Sequence, residues 1–284
     1  MAIMHGTTRR QRQDGGTKEP IVTTAALVRA ADNVTVACPG TARVPRFTGG
    51  GTIAWEERGI PAPGPGEVLV QVAANALCGS ERGQFEHGAA IAPGHELAGT
   101  VVAAGAGVEV AVGTAGVAYL MDFCGLCRWC RRGRTNQCQA KRGDVGFTRD
   151  GGYASHALVS ASAFVAAPGI DPVEATMLLD IMGTGGHALE RAALVHDDVR
   201  GVVVLGAGPI GLGVLAMARL RFGDEVPVAV TDRVEYRLEL VEKLGGIPVR
   251  AGGLKRRRWP CSRPAGRSSA SATAAGSTSR CRAT

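Results

Sequence analysis

Gly201-Val202-Val203-Val204-Leu205-Gly206-Ala207-Gly208-Pro209-Ile210-Gly211 is an apolar run that breaks into a glycine-rich turn. Unbroken Val and Leu predict a buried strand over 201–205. The apolar stretch Ile210–Phe222 predicts a helix directly after the turn. Gly206, Gly208 and Gly211 stand at the spacing G-x-G-x-x-G. The first permits a tight turn, the second lets a pyrophosphate approach the backbone, and the third packs helix on strand. A second buried strand, Val226–Thr231, leads to Asp232, 21 residues after Gly211. A carboxylate there would accept hydrogen bonds from the adenosine ribose hydroxyls. It favours NAD over NADP, whose extra phosphate would meet its charge, and Arg233 beside it softens that preference. The alternative is a glycine-rich turn with a solvated Asp.

Working outward, Glu235–Leu244 is an amphipathic helix ended by Gly245 and Gly246, and Ile247–Arg250 begins a third strand. The β-α-β-α-β order predicts a parallel, doubly wound sheet. Upstream, Pro172–Met182 and Gly186–Leu194 read as helices. Before Pro168 the pattern changes to short strand candidates: Thr52–Trp55, Glu67–Ala73, Leu97–Ala103, Val108–Leu120, Tyr153–Val159 and Ala163–Ala167. Gly105, Gly107, Gly113 and Gly116 break them, which predicts a small β-barrel. Four segments result: a disordered extension over 1–42, a β-barrel over 43–168, a partial dinucleotide-binding domain over 169–253 and a disordered basic tail over 254–284. The tail lacks Leu, Ile, Val, Met and Phe after Leu254, so it cannot bury enough apolar surface to offset its ordering entropy.

Composition excludes several classes. Of the 284 residues 45% are hydrophobic and 20% charged, which rules out global disorder. The net charge of +7 is misleading as a nucleic-acid signal. Nine basic residues and no acid lie from Leu244 onward, which leaves −2 for the first 243 residues. Gly201–Ala218 is uncharged but holds five Gly and a Pro, so strand, turn and helix explain it better than a membrane span. The eight Cys, with no secretory signal at the start, predict a reducing, cytoplasmic setting.

Cys124, Cys127, Cys130 and Cys138 form C-x2-C-x2-C-x7-C. Four thiolates this close can surround one tetrahedral Zn²⁺ with no open position, a structural site. Arg128, Arg131, Arg132 and Arg134 offset the charge of −2 that remains. Reduced surface cysteines, two disulfides and an iron–sulfur cluster are the alternatives. A second set begins with Cys78 in Cys78-Gly79-Ser80-Glu81 and continues seventeen residues later in Gly94-His95-Glu96. Cys, His and carboxylate are all zinc ligand types, and a mixed set with an exchangeable position is what catalysis needs. Singly, Cys78 reads as a core thiol and His95 as a core histidine.

Together these residues resemble the zinc-dependent medium-chain dehydrogenases, in particular the branch of L-threonine, sorbitol and polyol dehydrogenases. The resemblance runs from about Thr52 to Ala251. It rests on Pro63-Gly64-Pro65-Gly66-Glu67-Val68, Cys78-Gly79-Ser80, Gly94-His95-Glu96, the four cysteines, Asp150-Gly151-Gly152-Tyr153-Ala154, Gly206–Gly211, and Thr231-Asp232 with the following Glu235–Leu240. It implies an α/β chain with a β-barrel: a GroES-like catalytic barrel followed by an incomplete Rossmann domain. It implies one catalytic and one structural zinc, with Cys78, His95 and Glu96 holding the catalytic ion. Asp180 stands where the family has a further acidic or Cys ligand. Ser80 would begin a proton relay, and Ile210, Asp232 and Arg237 match cofactor-contacting positions. The implied reaction moves hydride between a secondary alcohol or polyol and NAD, in a homodimer or homotetramer. No nucleic acid or membrane partner is expected.

The chain departs from that pattern at three places. Gly83 stands where threonine dehydrogenases carry a relay His, five residues after the catalytic Cys. Glu81 replaces the usual Asp, and the Cys78–His95 segment is short. The second half of the Rossmann domain and the return to the barrel are missing, so a shifted reading frame from about Gly252 is expected. This opens a second reading, a zinc-binding remnant that transfers no hydride. A third, a zinc-ribbon nucleic-acid module with a basic tail, leaves the glycine turn and the Cys78/His95/Glu96 set unexplained.

Overall fold

The structure, a computed structural model, describes residues 2–3, 40–196 and 198–251. The expected extension apart from Ala2–Ile3 and 40–42, and the expected tail over 254–284, lie outside the described residues. The elements run β1 (Ala2–Ile3), β2 (Thr41–Gly49), β3 (Thr52–Gly59), β4 (Glu67–Ala76), α1 (Arg82–His87), β5 (Glu96–Ala104), β6 (Ala115–Ala118), β7 (Met121–Asp122), β8 (Gly143–Asp144), β9 (His156–Ser160) and β10 (Phe164–Ala166). There follow α2 (Pro172–Ala175), a π-turn over Leu178–Met182, α3 (Gly183–Ala193), β11 (Val202–Leu205), α4 (Pro209–Phe222), β12 (Val228–Asp232), α5 (Glu235–Lys243) and β13 (Ile247–Arg250).

The first half is a curled antiparallel sheet in the order β10-β6-β5-β4-β9, with the β2–β3 hairpin beside it. Val68, Val70, Leu97, Val101, Ala157 and Val159 fill its core. The curl needs β4 and β5 to approach closely. A Cβ at Gly99 would lie 2.1 Å from the Gln71 carbonyl oxygen, and the β4–β5 register shifts twice. Both faces of β5 are covered. Leu97 and Val101 face the barrel core, while Ala98 packs with Val117, Ala175 and the π-turn's Leu178 and Leu179. The second half places β11, β12 and β13 in parallel, as the alternating pattern predicts, with α4 and α5 as crossovers. The fold class is the expected one: a GroES-like half-barrel followed by part of a Rossmann sheet. Ala2–Ile3 adds an antiparallel strand on the other side of β11. All four residues of β13 are exposed at the opposite edge.

Two expectations are corrected. Val108–Leu120 is not one strand: only Ala115–Ala118 joins the sheet. Gly107 and Gly113 adopt positive φ, and the loop between them drops Val108, Val110 and Val112 onto the core. Pro172–Met182 is not one helix either. Asp171 caps α2 through bonds from the Val173 and Glu174 N–H groups, but the α-pattern ends at Ala175 and reopens as the π-turn. No helix among the described residues is long and apolar enough to cross a membrane.

Candidate metal and dinucleotide sites

Register explains why residues distant in sequence meet. Ala76 at the end of β4 pairs with Glu96 at the start of β5, so Cys78 and His95 emerge at the same end of the sheet. The π-turn then lowers Asp180 onto that end. Such a turn adds a residue to the helical ladder and re-aims its side chain. One potential ligand atom from each of Cys78, His95, Glu96 and Asp180 lies within 4.8 Å of the other three.

His95 is 3% exposed and held from both sides. Its Nδ1 lies 2.7 Å from Glu81 Oε1 and its Nε2 3.1 Å from Asp180 Oδ2. The Tyr153 hydroxyl donates to the other Glu81 oxygen. Burial opposes charge on His95, but the carboxylates of Asp180 and Glu81 outweigh it and push its pKa up to about 10. Glu81 moves the other way: burial raises it, yet its bonds from His95 and Tyr153 hold it below the usual carboxylate range. Burial keeps Glu96 above that range. A buried site with three carboxylates close to one imidazole seeks a cation, and its Cys, His and carboxylate donors are those zinc takes. The donor set therefore fits the ion.

Sequence reasoning noted Glu81 only as a departure and gave Tyr153 no role. Glu81 had a usable signal, its place three residues after Cys78; Tyr153 had none, since it lies 72 residues from its partner. Ser80 is exposed, and its hydroxyl donates to Cys78 Sγ at 3.3 Å. A cavity of about 300 Å3 opens beside Cys78, with Phe47, Ile53, Leu77, Phe85 and Tyr153 in its wall. His87 is exposed in the last turn of α1, and His156 is half-buried in β9, both away from the donor set.

The four cysteines of the second set also converge, with their sulfurs within 4.8 Å of one another. All four are free thiols. Backbone N–H groups of Cys130 and Gln139 lower the Cys127 pKa to about 6, whereas burial and the neighbouring thiols push Cys130 up to about 12. Four sulfurs this close together fit a tetrahedral metal at their centre.

In the glycine turn, Gly206 has φ +101°. A Cβ at Gly211 would lie 1.9 Å from the Gly206 carbonyl oxygen, whereas one at Gly208 would meet nothing within 4 Å. The turn is therefore tight where helix meets strand and open above Gly208, at the start of α4. Asp232 accepts from the Ala207 N–H at 2.8 Å through one oxygen, and from Arg233 and Val234 at 2.7 and 3.0 Å through the other. Those N–H groups hold its pKa down to about 2, with Arg237 Nη1 3.6 Å away. Ile210 is exposed at the mouth of the turn.

Known proteins share the fold. The family model for the alcohol dehydrogenase GroES-like domain matches residues 64–169. L-galactonate-5-dehydrogenase of Escherichia coli is 34% identical over 207 residues, covering 66% of this chain and 57% of the relative. L-threonine 3-dehydrogenase of Pyrococcus horikoshii is 34% identical over 195 residues, covering 66% and 54%. The chain thus spans little more than half the length of these relatives. Among solved structures, the cobalt- and zinc-bound alcohol dehydrogenase of Pyrobaculum aerophilum superposes with a TM-score of 0.65 at 29% identity, covering 74% of this chain and 65% of that one. Acetophenone reductase of Geotrichum candidum in complex with NAD gives 0.68 at 26% identity, covering 78% and 67%.

Proposed function

Because the chain belongs to the medium-chain dehydrogenase family, we propose that it is a zinc-dependent oxidoreductase that exchanges hydride between a secondary alcohol or polyol and NAD. The observation that carries the proposal is the meeting of Cys78, His95, Glu96 and Asp180, brought from three separate segments, alongside a second site made only of thiols. Cys78, His95, Glu96 and Asp180 would hold the catalytic zinc, and Cys124, Cys127, Cys130 and Cys138 the structural one. When bound, zinc would supply a Lewis acid for the alcohol oxygen and the nicotinamide a hydride acceptor.

The chain's own residues do the rest. Glu81, held by Tyr153, fixes the orientation of the His95 ring. Ser80, beside Cys78 and open to solvent, would accept the alcohol proton as it releases its own hydroxyl proton to water. Gly206, Gly208 and Gly211 shape the pyrophosphate turn, with Ile210 and Arg237 at its rim, and Asp232 receives the ribose hydroxyls. The carboxylate of Asp232 disfavours the extra phosphate of NADP. The division at residue 168, the assembly as a dimer or tetramer and a cytoplasmic setting belong to the same proposal. L-threonine, the substrate named for one relative, ranks below other alcohols, because Gly83 cannot relay a proton.

The test is zinc content together with NADH formation from a panel of secondary alcohols, polyols, L-threonine and L-galactonate. Two zinc per chain with NADH formed from some member of the panel is the expected result. Two zinc and no turnover would support a zinc-binding chain without catalysis. One zinc, with RNA binding that weakens steeply in salt, would support the nucleic-acid module.

A further inference from the structure

The four-cysteine lobe leaves the barrel at Asp122 and returns at Gly143. Its two ends meet in a ladder of only two residue pairs, Met121 with Asp144 and Asp122 with Gly143. So short a ladder is marginal alone. Around it lies a charge network that neither the zinc ligands nor the dinucleotide turn explains. Asp122 is 1% exposed. Arg142 Nε and Nη2 donate to its Oδ1 at 3.0 and 2.6 Å, and the same Nη2 reaches the Phe123 carbonyl at 3.2 Å and Ser160 Oγ at 3.0 Å. Arg149 donates to the other Asp122 oxygen, and its Nη2 donates to Glu67 Oε1 at 2.6 Å. Two arginines and two carboxylates balance, so no buried charge is left unpaired.

Position gives this network its meaning. Asp122 lies two residues before the first cysteine, and Arg142 four residues after the last. Their bond therefore closes the loop that carries all four ligands, while Glu67 and Ser160 anchor the closure to β4 and β9. Bringing four thiolates together from an open loop costs loop-closure entropy, and a pre-closed neck removes part of that cost from metal binding. We propose that Asp122, gripped by Arg142 and Arg149, is a positioning residue for the four-cysteine site: it closes the neck of the lobe before the metal arrives and so sets the lobe's metal affinity. The proposal rests on the four-thiolate reading of Cys124, Cys127, Cys130 and Cys138.

The experiment uses the full chain carrying Cys78→Ser, so that thiolate-to-cobalt charge transfer reports the lobe alone. The metal-stripped, reduced protein is titrated with Co²⁺, and the barrel is followed by its unfolding midpoint. Asp122→Asn is expected to weaken cobalt binding about 10–100-fold, the range for residues that orient metal ligands, and to speed protease cleavage within 125–137 in the metal-free protein. If Asp122→Asn does not fold, Arg142→Gln removes the same grip from a side chain that is 54% exposed, with the same expected direction. Unchanged cobalt affinity in a folded variant overturns the proposal. So does a fall in affinity that only tracks a lower unfolding midpoint, with lobe cleavage unchanged, because the network would then serve fold stability alone. A parent protein without any charge-transfer band overturns the four-thiolate reading itself, and this proposal with it.

Discussion

Tyr153→Phe tests the chain of contacts behind His95. The substitution removes one oxygen and leaves the ring packed against Phe47, so it opens no sizeable cavity. What it does remove is the hydroxyl that donates to Glu81, a carboxylate whose side chain is 5% exposed. A hydrogen bond to a charged group contributes about 1.5–3 kcal/mol, and here the acceptor is a buried carboxylate. The expected loss is thus about 2 kcal/mol. With a urea m-value of about 2 kcal/mol/M, the unfolding midpoint of the full chain should fall by about 1 M. The sign with pH follows from Glu81, whose folded pKa is depressed. Its contribution is complete above the ordinary carboxylate pKa of about 4.3 and fades as pH falls through the lower folded value, so variant and parent should converge in acid. A midpoint shift under about 0.2 M at pH 7, or a difference that grows in acid, would refute the contact. Glu81→Gln should be at least as costly, and the double variant should fall short of the sum of the singles, because both remove one coupled pair.

Gly211→Ala and Gly208→Ala should separate folding from cofactor binding. The first forces a Cβ against the Gly206 carbonyl and should cost about 1–3 kcal/mol in denaturant unfolding. The second meets open space and should change stability by under about 1 kcal/mol while weakening NADH binding, read by nucleotide fluorescence; equal losses of stability would sink this division of labour. Asp232, with its pKa held down to about 2 by three backbone N–H groups, should stabilise the turn above about pH 4 and lose that contribution as pH falls toward 2. Asp232→Asn should flatten that part of the stability profile and narrow any preference for NAD over NADP; an acid limb like the parent's would remove Asp232 as its cause.

Residues that act through local patterns were legible from the chain alone. Val202–Leu205, the glycine turn and α4 follow from an unbroken apolar run, a steric need at Gly206 and Gly211, and an apolar stretch that begins at Ile210, one residue inside the helix. The four cysteines are spaced closely enough that any compact loop brings them together. Both signals depend on neighbours within a few residues, so tertiary context had little room to override them. Val108–Val112 shows the limit. Its valines look like a strand, but the same apolar character serves a loop folded onto the core, and only the barrel's shape decides between them.

What tertiary structure alone decided is which distant groups meet. The sequence determined that Cys78, His95 and Glu96 had ligand chemistry, and only the family resemblance set Asp180 beside them. It held no information that a π-turn would set Asp180 3.1 Å from His95 across 85 residues, or that Tyr153 would close the far side of Glu81. Likewise, nothing in the sequence pairs Asp122 with Arg142; the neck of the lobe does, burying the carboxylate beneath the guanidinium. The physical reason is the same in each case. Covalent spacing constrains a few residues of chain, whereas the pairing of buried charges is settled by strand register and packing, where desolvation makes each partner's position decisive.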